Sequence, residues 1–130
     1  MTDLQCIVVT PEQTVCDTPA EFVALTLFDG EIGIAAGHTP LIGRLGFGEM
    51  RIKLDHQVTH YYVEGGFVEV ADNVVSVLTN RAVPVEKLDA RAAAQQLEAA
   101  KARPATTPEL MAIRDQAVAQ SRAQLHLARS

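Results

Sequence analysis

The sequence predicts an α+β protein: an amino-terminal antiparallel β-sandwich of about ten short strands, then a carboxy-terminal antiparallel two-helix hairpin. Three observations predict it. Residues 1–84 hold seventeen Val and Ile and residues 85–130 only three, while thirteen alanines follow residue 85. All eight glycines lie between Gly30 and Gly66, and all six aromatic residues at or before Phe67. Net charge breaks at the same place, from −7 over residues 1–84 to +2 over residues 85–130. Val and Ile suit pleated, half-buried surfaces, and Ala is the strongest helix former. The chain therefore divides into residues 1–84 and 85–130, with Pro84 as the only punctuation.

The strands are justified one by one. Segments 4–10 and 12–17 are separated by Pro11. Val23, Leu25 and Leu27 alternate with Phe22, Ala24 and Thr26, an almost wholly apolar strand expected between two layers. Segments 31–35 and 41–45 follow. Met50, Ile52 and Leu54 alternate with Glu49, Arg51 and Lys53, giving one apolar and one charged face. After segment 58–64, Val68 and Val70 lead into Asp72-Asn73 and on to Val75 and Val77. Asp and Asn tolerate the left-handed conformation, so this pair predicts a tight hairpin. Segment 80–83 is the last strand. Pro11, Pro19, Asp29-Gly30, Gly37, Gly46 and Gly65-Gly66 are the expected turns.

The first helix is expected from Glu86 to Ala102, with Glu86 and Asp89 in its first turn and Lys101 and Arg103 at its end. Thr107 is a good N-cap and Pro108 a good first helical residue, so the second helix runs from there to about residue 128. Its apolar face is expected to hold Met111, Val118 and Leu125, beside Leu110, Ile113 and Ala117. Leu88, Leu97, Ala92, Ala93 and Ala100 face it from the first helix. Such small faces bury little area.

With 130 residues, the chain is too short for a doubly wound sheet or an eight-fold β/α barrel. Its formal charge of −5 argues against a nucleic-acid partner. No apolar run approaches the ~20 residues of a membrane span. Met1-Thr2-Asp3 shows no basic or apolar leader, which points away from secretion.

Chemistry is scarce. There is no nucleophile elbow, no phosphate-cradling loop and no CxxC pair. Gly43-Arg44-Leu45-Gly46-Phe47-Gly48 has the wrong spacing and no helix after it. His56 and His60 fall at a turn and on a strand, where four residues span ~13 Å, too far for one ion. No metal or cofactor is expected. Cys6 and Cys16 lie on successive strands, where free thiols or a disulfide are both open. Tyr61 and Tyr62 are adjacent and point to opposite faces.

Gly30-Glu31-Ile32-Gly33-Ile34-Ala35-Ala36-Gly37-His38-Thr39-Pro40-Leu41-Ile42 closely resembles the signature of the epsilon subunit of F-type ATP synthase. Gly65-Gly66-Phe67-Val68-Glu69-Val70, Val74 to Leu78, Ala82 with Leu88-Asp89, and Val9-Thr10-Pro11-Glu12 also fit that family. The resemblance covers essentially the whole chain. Ala36 departs from the family's usual Pro. Arg91 follows Asp89 by two residues, where nucleotide-binding members place Arg three after it, a position held here by Ala92.

The resemblance implies a β-sandwich with a helical hairpin, in a central-stalk subunit without an active site of its own. Its partners would be the gamma subunit and the c-ring, with the catalytic beta subunits reached by the carboxy-terminal helix. It would turn with the rotor, couple proton or sodium flow to ATP synthesis, and restrain ATP hydrolysis through its helices. Its place would be peripheral, on the cytoplasmic side of the cell membrane. The glycines at 30, 33 and 37 are expected to form turns at one end of the sandwich, with Glu31 a free carboxylate at a loop tip for the c-ring. His38, Leu41 and Ile42 are the expected gamma contacts. Arg114 and Arg122 are the expected contacts of the regulatory helix, and displaced Arg91 beside Asp89 implies weak or absent ATP binding. A sandwich enzyme of the cupin type would need clustered His and Glu ligands, and the four His are scattered. A free-standing binding module is the other alternative.

Overall fold

The computed structural model describes residues 3–129. Met1 and Thr2, where a leader would begin, lie outside the described residues. Two compact units divide the chain, residues 1–84 and 85–130.

The first unit holds ten strands: β1 (Leu4–Val9), β2 (Thr14–Ala20), β3 (Phe22–Leu27), β4 (Gly30–Ala35), β5 (Leu41–Arg44), β6 (Phe47–Leu54), β7 (Gln57–Glu64), β8 (Phe67–Ala71), β9 (Val74–Leu78) and β10 (Ala82–Pro84). They form two five-stranded sheets, ordered β2-β1-β9-β8-β5 and β10-β7-β6-β3-β4. Every pairing is antiparallel except β1 with β9, which is parallel. The sequence pattern did not carry that exception, because a strand's alternation says which face is buried and not which neighbour it meets.

The core lies between the sheets. Leu4, Cys6 and Val8 of β1, Val23 and Leu25 of β3, Val68 and Val70 of β8, and Val75 and Val77 of β9 are fully buried. Met50 and Ile52 of β6 join it, as the alternation of that strand requires, together with Ala20, Ile34, Leu45 and Val63. Asp72 and Asn73 take φ of 51° and 61°, so the β8–β9 connection is the tight two-residue hairpin expected. A second such turn, Asp55-His56 between β6 and β7, has Asp55 at φ 57°.

Pro19 is not a turn. It lies within β2 opposite Gln5, and β2 is an edge strand, where a residue without an N–H is tolerated. Cys6 faces Thr18 and Cys16 faces Val8, so the two thiols are diagonal neighbours on one face. Diagonal positions lie ~7–8 Å apart, at or beyond the reach of a disulfide; both cysteines are free.

In the second unit a 3₁₀ turn (Val85–Lys87) precedes α1 (Ala90–Lys101) and α2 (Pro108–Ala128). The first helix therefore starts four residues later than expected, and Glu86 and Asp89 are not in its first turn. Asp89 is its N-cap: one carboxylate oxygen accepts from the Arg91 amide at 2.9 Å and the Ala92 amide at 3.2 Å. Thr107 caps α2 by accepting from the Leu110 amide at 3.1 Å.

The expected face of α2 holds only in part: Ala117, Val118 and Leu125 are half-buried. Ser121, Gln124 and Leu127 are its buried residues, whereas Leu110, Met111 and Ile113 are exposed. Ala99 and Ala100 share a groove with Ala117 and Ser121. Small residues line this groove, while Leu97 of α1 and Gln124 and Leu127 of α2 are the large side chains buried in the unit. The second helix is nine residues longer than the first (21 against 12), and its exposed apolar residues lie in its first two turns.

Candidate functional site

Among the described residues no group of three His, Cys, Asp or Glu side chains could hold a metal ion. The His60 imidazole instead donates through Nδ1 to Glu49 Oε2 at 2.9 Å, across neighbouring strands. A hollow of about 480 Å³ lies between β2 and the β6–β7 hairpin, lined by Cys16, Thr18, His56, Gln57, Thr59 and Tyr61 among others. Burial pushes the Cys16 thiol up, against the lowering effect of its hydrogen bond with Tyr61. Burial, with Cys16 and Asp17 nearby, pushes the Cys6 thiol up to about 12. Neither thiol is poised as a nucleophile, which must first ionise.

The glycine-rich signature is not a set of loops at one end. Gly30 and Gly37 stand beyond or at opposite ends of β4, and Gly33 is within the strand beneath the Phe22 ring. A Cβ on Gly33 would fall 2.5 Å from Phe22 Cζ, so the strand needs glycine there for close packing rather than for a turn. Glu31 and His38 accordingly belong to different ends of the sandwich.

Glu31 is not a free carboxylate at a loop tip. Leu27 pairs with Gly30, so the turn closes at Phe28-Asp29 and Glu31 is already inside β4. Its Oε1 accepts from Arg51 Nη2 at 2.7 Å. Arg51 Nη1 donates to Glu49 Oε1 at 3.1 Å, and Glu49 holds His60 with its other oxygen. Burial raises the Glu49 carboxyl, but the hydrogen bonds from His60 and Arg51 outweigh it and hold the group below its ordinary value. The bonds to Glu31 and Glu49 push the Arg51 guanidinium up. A Glu31–Arg51–Glu49–His60 ladder thus crosses the solvent face of the second sheet.

His38 is half-buried in the loop between β4 and β5, where its Nδ1 donates to the Thr39 carbonyl at 2.7 Å. Leu41 packs on the core, whereas Ile42, next along β5, is 74 % exposed. Ile42 is not alone. Arg44, Phe67, Leu78 and Val9 are register neighbours across β5, β8, β9 and β1. Phe67 and Leu78 are 58 % and 56 % exposed, on the parity opposite to the buried valines of β8 and β9. They border a hollow of about 360 Å³ with Val9, Pro11, Gly66 and Asn80. Phe28, at the β3–β4 turn, is 71 % exposed, with the Arg44 guanidinium 5.0 Å above its ring. The outer face of the first sheet therefore carries an apolar row, Phe67, Leu78 and Val9, flanked by Arg44 toward the Phe28 turn, with Ile42 diagonal to Phe67 and opposite the exposed Glu69.

Sequence reasoning named Ile42 but missed Phe67, Leu78 and Phe28. The signal was present: in Phe67-Val68-Glu69-Val70 and Val75-Ser76-Val77-Leu78 the large apolar residues occupy both parities, and only one parity can face the core. A solvent-facing Phe and Leu side by side on neighbouring strands is a mark of an interaction surface.

In the second unit Asp89 is engaged as a cap, and Arg91, the second residue of α1, is exposed. Arg114 donates to its neighbour Asp115 at 3.1 Å. Arg122 is exposed and forms no ion pair among the described residues.

The chain is thus of the class that joins a β-sandwich, here with exposed apolar residues on one sheet, to a capped helical hairpin. Residues 3–85 match the family described as the ATP synthase delta/epsilon chain β-sandwich domain. The ATP synthase epsilon chain of Rhodopirellula baltica is 48 % identical over 126 residues, which cover 97 % of this chain and 98 % of that relative. The sodium ion specific ATP synthase epsilon chain of Propionigenium modestum is 36 % identical over 94 residues, covering 72 % of this chain and 69 % of the relative. This chain belongs to the ATP synthase epsilon chain family. A chain in the Euglena gracilis mitochondrial ATP synthase OSCP/F1/c-ring structure has the same fold, with a TM-score of 0.88 at 23 % identity over 100 % of this chain and 83 % of that one. So does a chain in the Tetrahymena thermophila mitochondrial ATP synthase central stalk/c-ring structure, with a TM-score of 0.77 at 13 % identity over 98 % and 97 %. No helix of the described residues is long and apolar enough to cross a membrane.

Proposed function

We propose that this chain is a non-catalytic rotor subunit of an F-type ATP synthase, peripheral on the cytoplasmic side of the membrane. In this reading the sandwich docks on the gamma subunit through the band of Ile42, Phe67 and Leu78, with His38 at its margin and Leu41 supporting β5 from the core. The end near Glu31 meets the c-ring, and the subunit turns with both, coupling ion flow to ATP synthesis. The observation that carries the reading is the exposed apolar band. Three large side chains left in water on one sheet face are a standing cost that burial against a partner removes, at roughly 25 cal/mol per Å².

Glu31 contributes little on this reading. Its carboxylate is already paired with Arg51 and 56 % exposed, so a c-ring cation would share or displace Arg51 in a rim contact worth under ~1 kcal/mol. The hairpin is a regulatory element that restrains ATP hydrolysis by reaching the catalytic beta subunits. Arg122 is the more available contact, because Arg114 is engaged with Asp115.

Co-purification tests the central claim. The wild-type chain should retain gamma and the c-ring, and a Phe67→Asp, Leu78→Asp double variant that keeps its fold should lose gamma. Retention of gamma by that variant would refute the docking face, and capture of neither partner by the wild-type chain would favour a free-standing binding module.

A further inference from the structure

We propose that Asn73 is a positioning residue for the loop that carries His38, clamping it to the β8–β9 hairpin so that His38 and Ile42 are presented together. The proposal rests on the reading of His38 and Ile42 as gamma contacts. Residues 36–40 connect β4 in one sheet to β5 in the other, so this loop is a crossover between layers. Within it, the His38 amide donates to the Ala35 carbonyl at 3.2 Å, a long bond. The short one comes from elsewhere: the Gly37 amide donates to the Asn73 side-chain oxygen Oδ1 at 2.7 Å.

Asn73 is 36 residues distant from Gly37 and is held firmly itself. It occupies the left-handed region at φ 61°, as the two-residue turn requires, and its main-chain carbonyl accepts from the Gln5 amide at 2.8 Å. One residue thus joins β1, the β8–β9 turn and the crossover loop. Ile42 is registered to the same hairpin, because it pairs with Glu69 of β8. The loop and the exposed Ile42 are therefore both indexed to the β8–β9 hairpin, the loop at its turn and Ile42 on its first strand. Asn suits both demands, tolerating the left-handed backbone and supplying a neutral acceptor. Glycine would meet only the first. A loop without the clamp must be ordered at the moment of association, which lowers affinity without removing any contact.

The test uses the full chain with Asn73→Gly, Asn73→Asp and, as control, Ile42→Asp. Asn73→Gly keeps the turn but removes the acceptor, and should speed hydrogen exchange at the Gly37 amide about tenfold and weaken gamma binding about fivefold. Asn73→Asp restores an acceptor in the same backbone conformation and should recover most of both. Wild-type exchange at Gly37 in Asn73→Gly overturns the clamp. Weaker binding in Ile42→Asp with wild-type affinity in Asn73→Gly overturns the positioning role and leaves the docking reading standing; unchanged affinity in both overturns both. The unmodified protein gives a check that needs no folded variant: the Gly37 amide, on an exposed residue, should exchange at least about tenfold slower than an unstructured glycine amide, and free exchange there overturns the proposal.

Discussion

Replacing Gly66 with alanine should be among the most damaging single-methyl changes in the first unit. Gly66 has φ +99°, and a Cβ built on it would lie 1.9 Å from the Leu78 carbonyl oxygen and 2.8 Å from Thr79 Cα. Both obstacles are backbone, and neither neighbour can retreat freely. The Thr79 amide is bonded to the Val9 carbonyl at 3.0 Å, and Gly66 itself accepts from the Leu45 amide at 2.8 Å. Left-handed strain costs about 1–2 kcal/mol, displacement of packed backbone about 1–3 kcal/mol, and a weakened amide bond about 1 kcal/mol. The expected loss is about 3–6 kcal/mol, a large share of the ~5–15 kcal/mol that a domain has. Gly65 is the control. Its φ is +65°, but the nearest atoms to an added Cβ are 3.8 Å away, so Gly65→Ala carries only the conformational cost. Urea unfolding followed by tyrosine fluorescence reads the sandwich alone, because Tyr61 and Tyr62 are the only tyrosines and no aromatic residue follows Phe67. If Gly66→Ala lies within about 1 kcal/mol of Gly65→Ala, the steric reasoning is refuted.

Four further outcomes are expected. The folded-state Glu49 carboxyl is held below its ordinary value, so its contribution is full above that value and lost as pH falls through the lowered one; Glu49→Gln should flatten the acid side of the urea-midpoint profile, and an unchanged acid side would discount the ladder. Neither thiol should react quickly with a disulfide reagent at pH 8 in the native state, and both should react in urea; rapid native labelling of Cys6 would contradict its burial. Asp89→Ala should cost about 1 kcal/mol through loss of the α1 cap, read by helical circular dichroism, and calorimetry should find no micromolar ATP binding in either form. Deletion of residues 85–130 should raise ATP hydrolysis by the assembled enzyme, more at low salt than at high; equal rates at both would make the hairpin a passive appendage.

The sandwich was legible because its alternation is strong. Met50, Ile52 and Leu54 against Glu49, Arg51 and Lys53 permit one inward face only, and Asp72-Asn73 permits one kind of turn. What alternation cannot carry is partner choice, hence the unforeseen parallel pairing of β1 with β9. Pro19 and Gly33 were misread as turn signals because each residue type has two uses: Pro also suits an edge strand, and Gly also admits a side chain packed close against the strand. The helical hairpin was less legible. Its buried set mixes Leu97 and Leu127 with Ala93, Ala100, Ser121 and Gln124, and small or polar residues carry almost no hydrophobic signal, so Met111 and Ile113 looked like the buried face. Of the candidate site, Ile42 and His38 were visible through the signature, whereas Arg51 on Glu31 and Asn73 on Gly37 join residues 20 and 36 apart, a proximity only the fold creates.

The parallel β1–β9 ladder also sets the order in which this molecule can be made. Gln5 pairs with Val74 and Val9 with Leu78, so each bond of that ladder closes a loop of 69 residues. On a ribosome, β1 can meet β2 at once, but its other edge stays open until almost the whole sandwich has been synthesised. Contacts of such separation slow folding into the millisecond-to-second range. Meanwhile the Leu4–Val9 strand, apolar at five of its six positions, offers an unpaired edge to any other nascent chain. The interval before β9 arrives is thus the time of greatest exposure to aggregation. A mutation that delays β9 without weakening the finished fold would lower yield while leaving the purified protein's stability untouched.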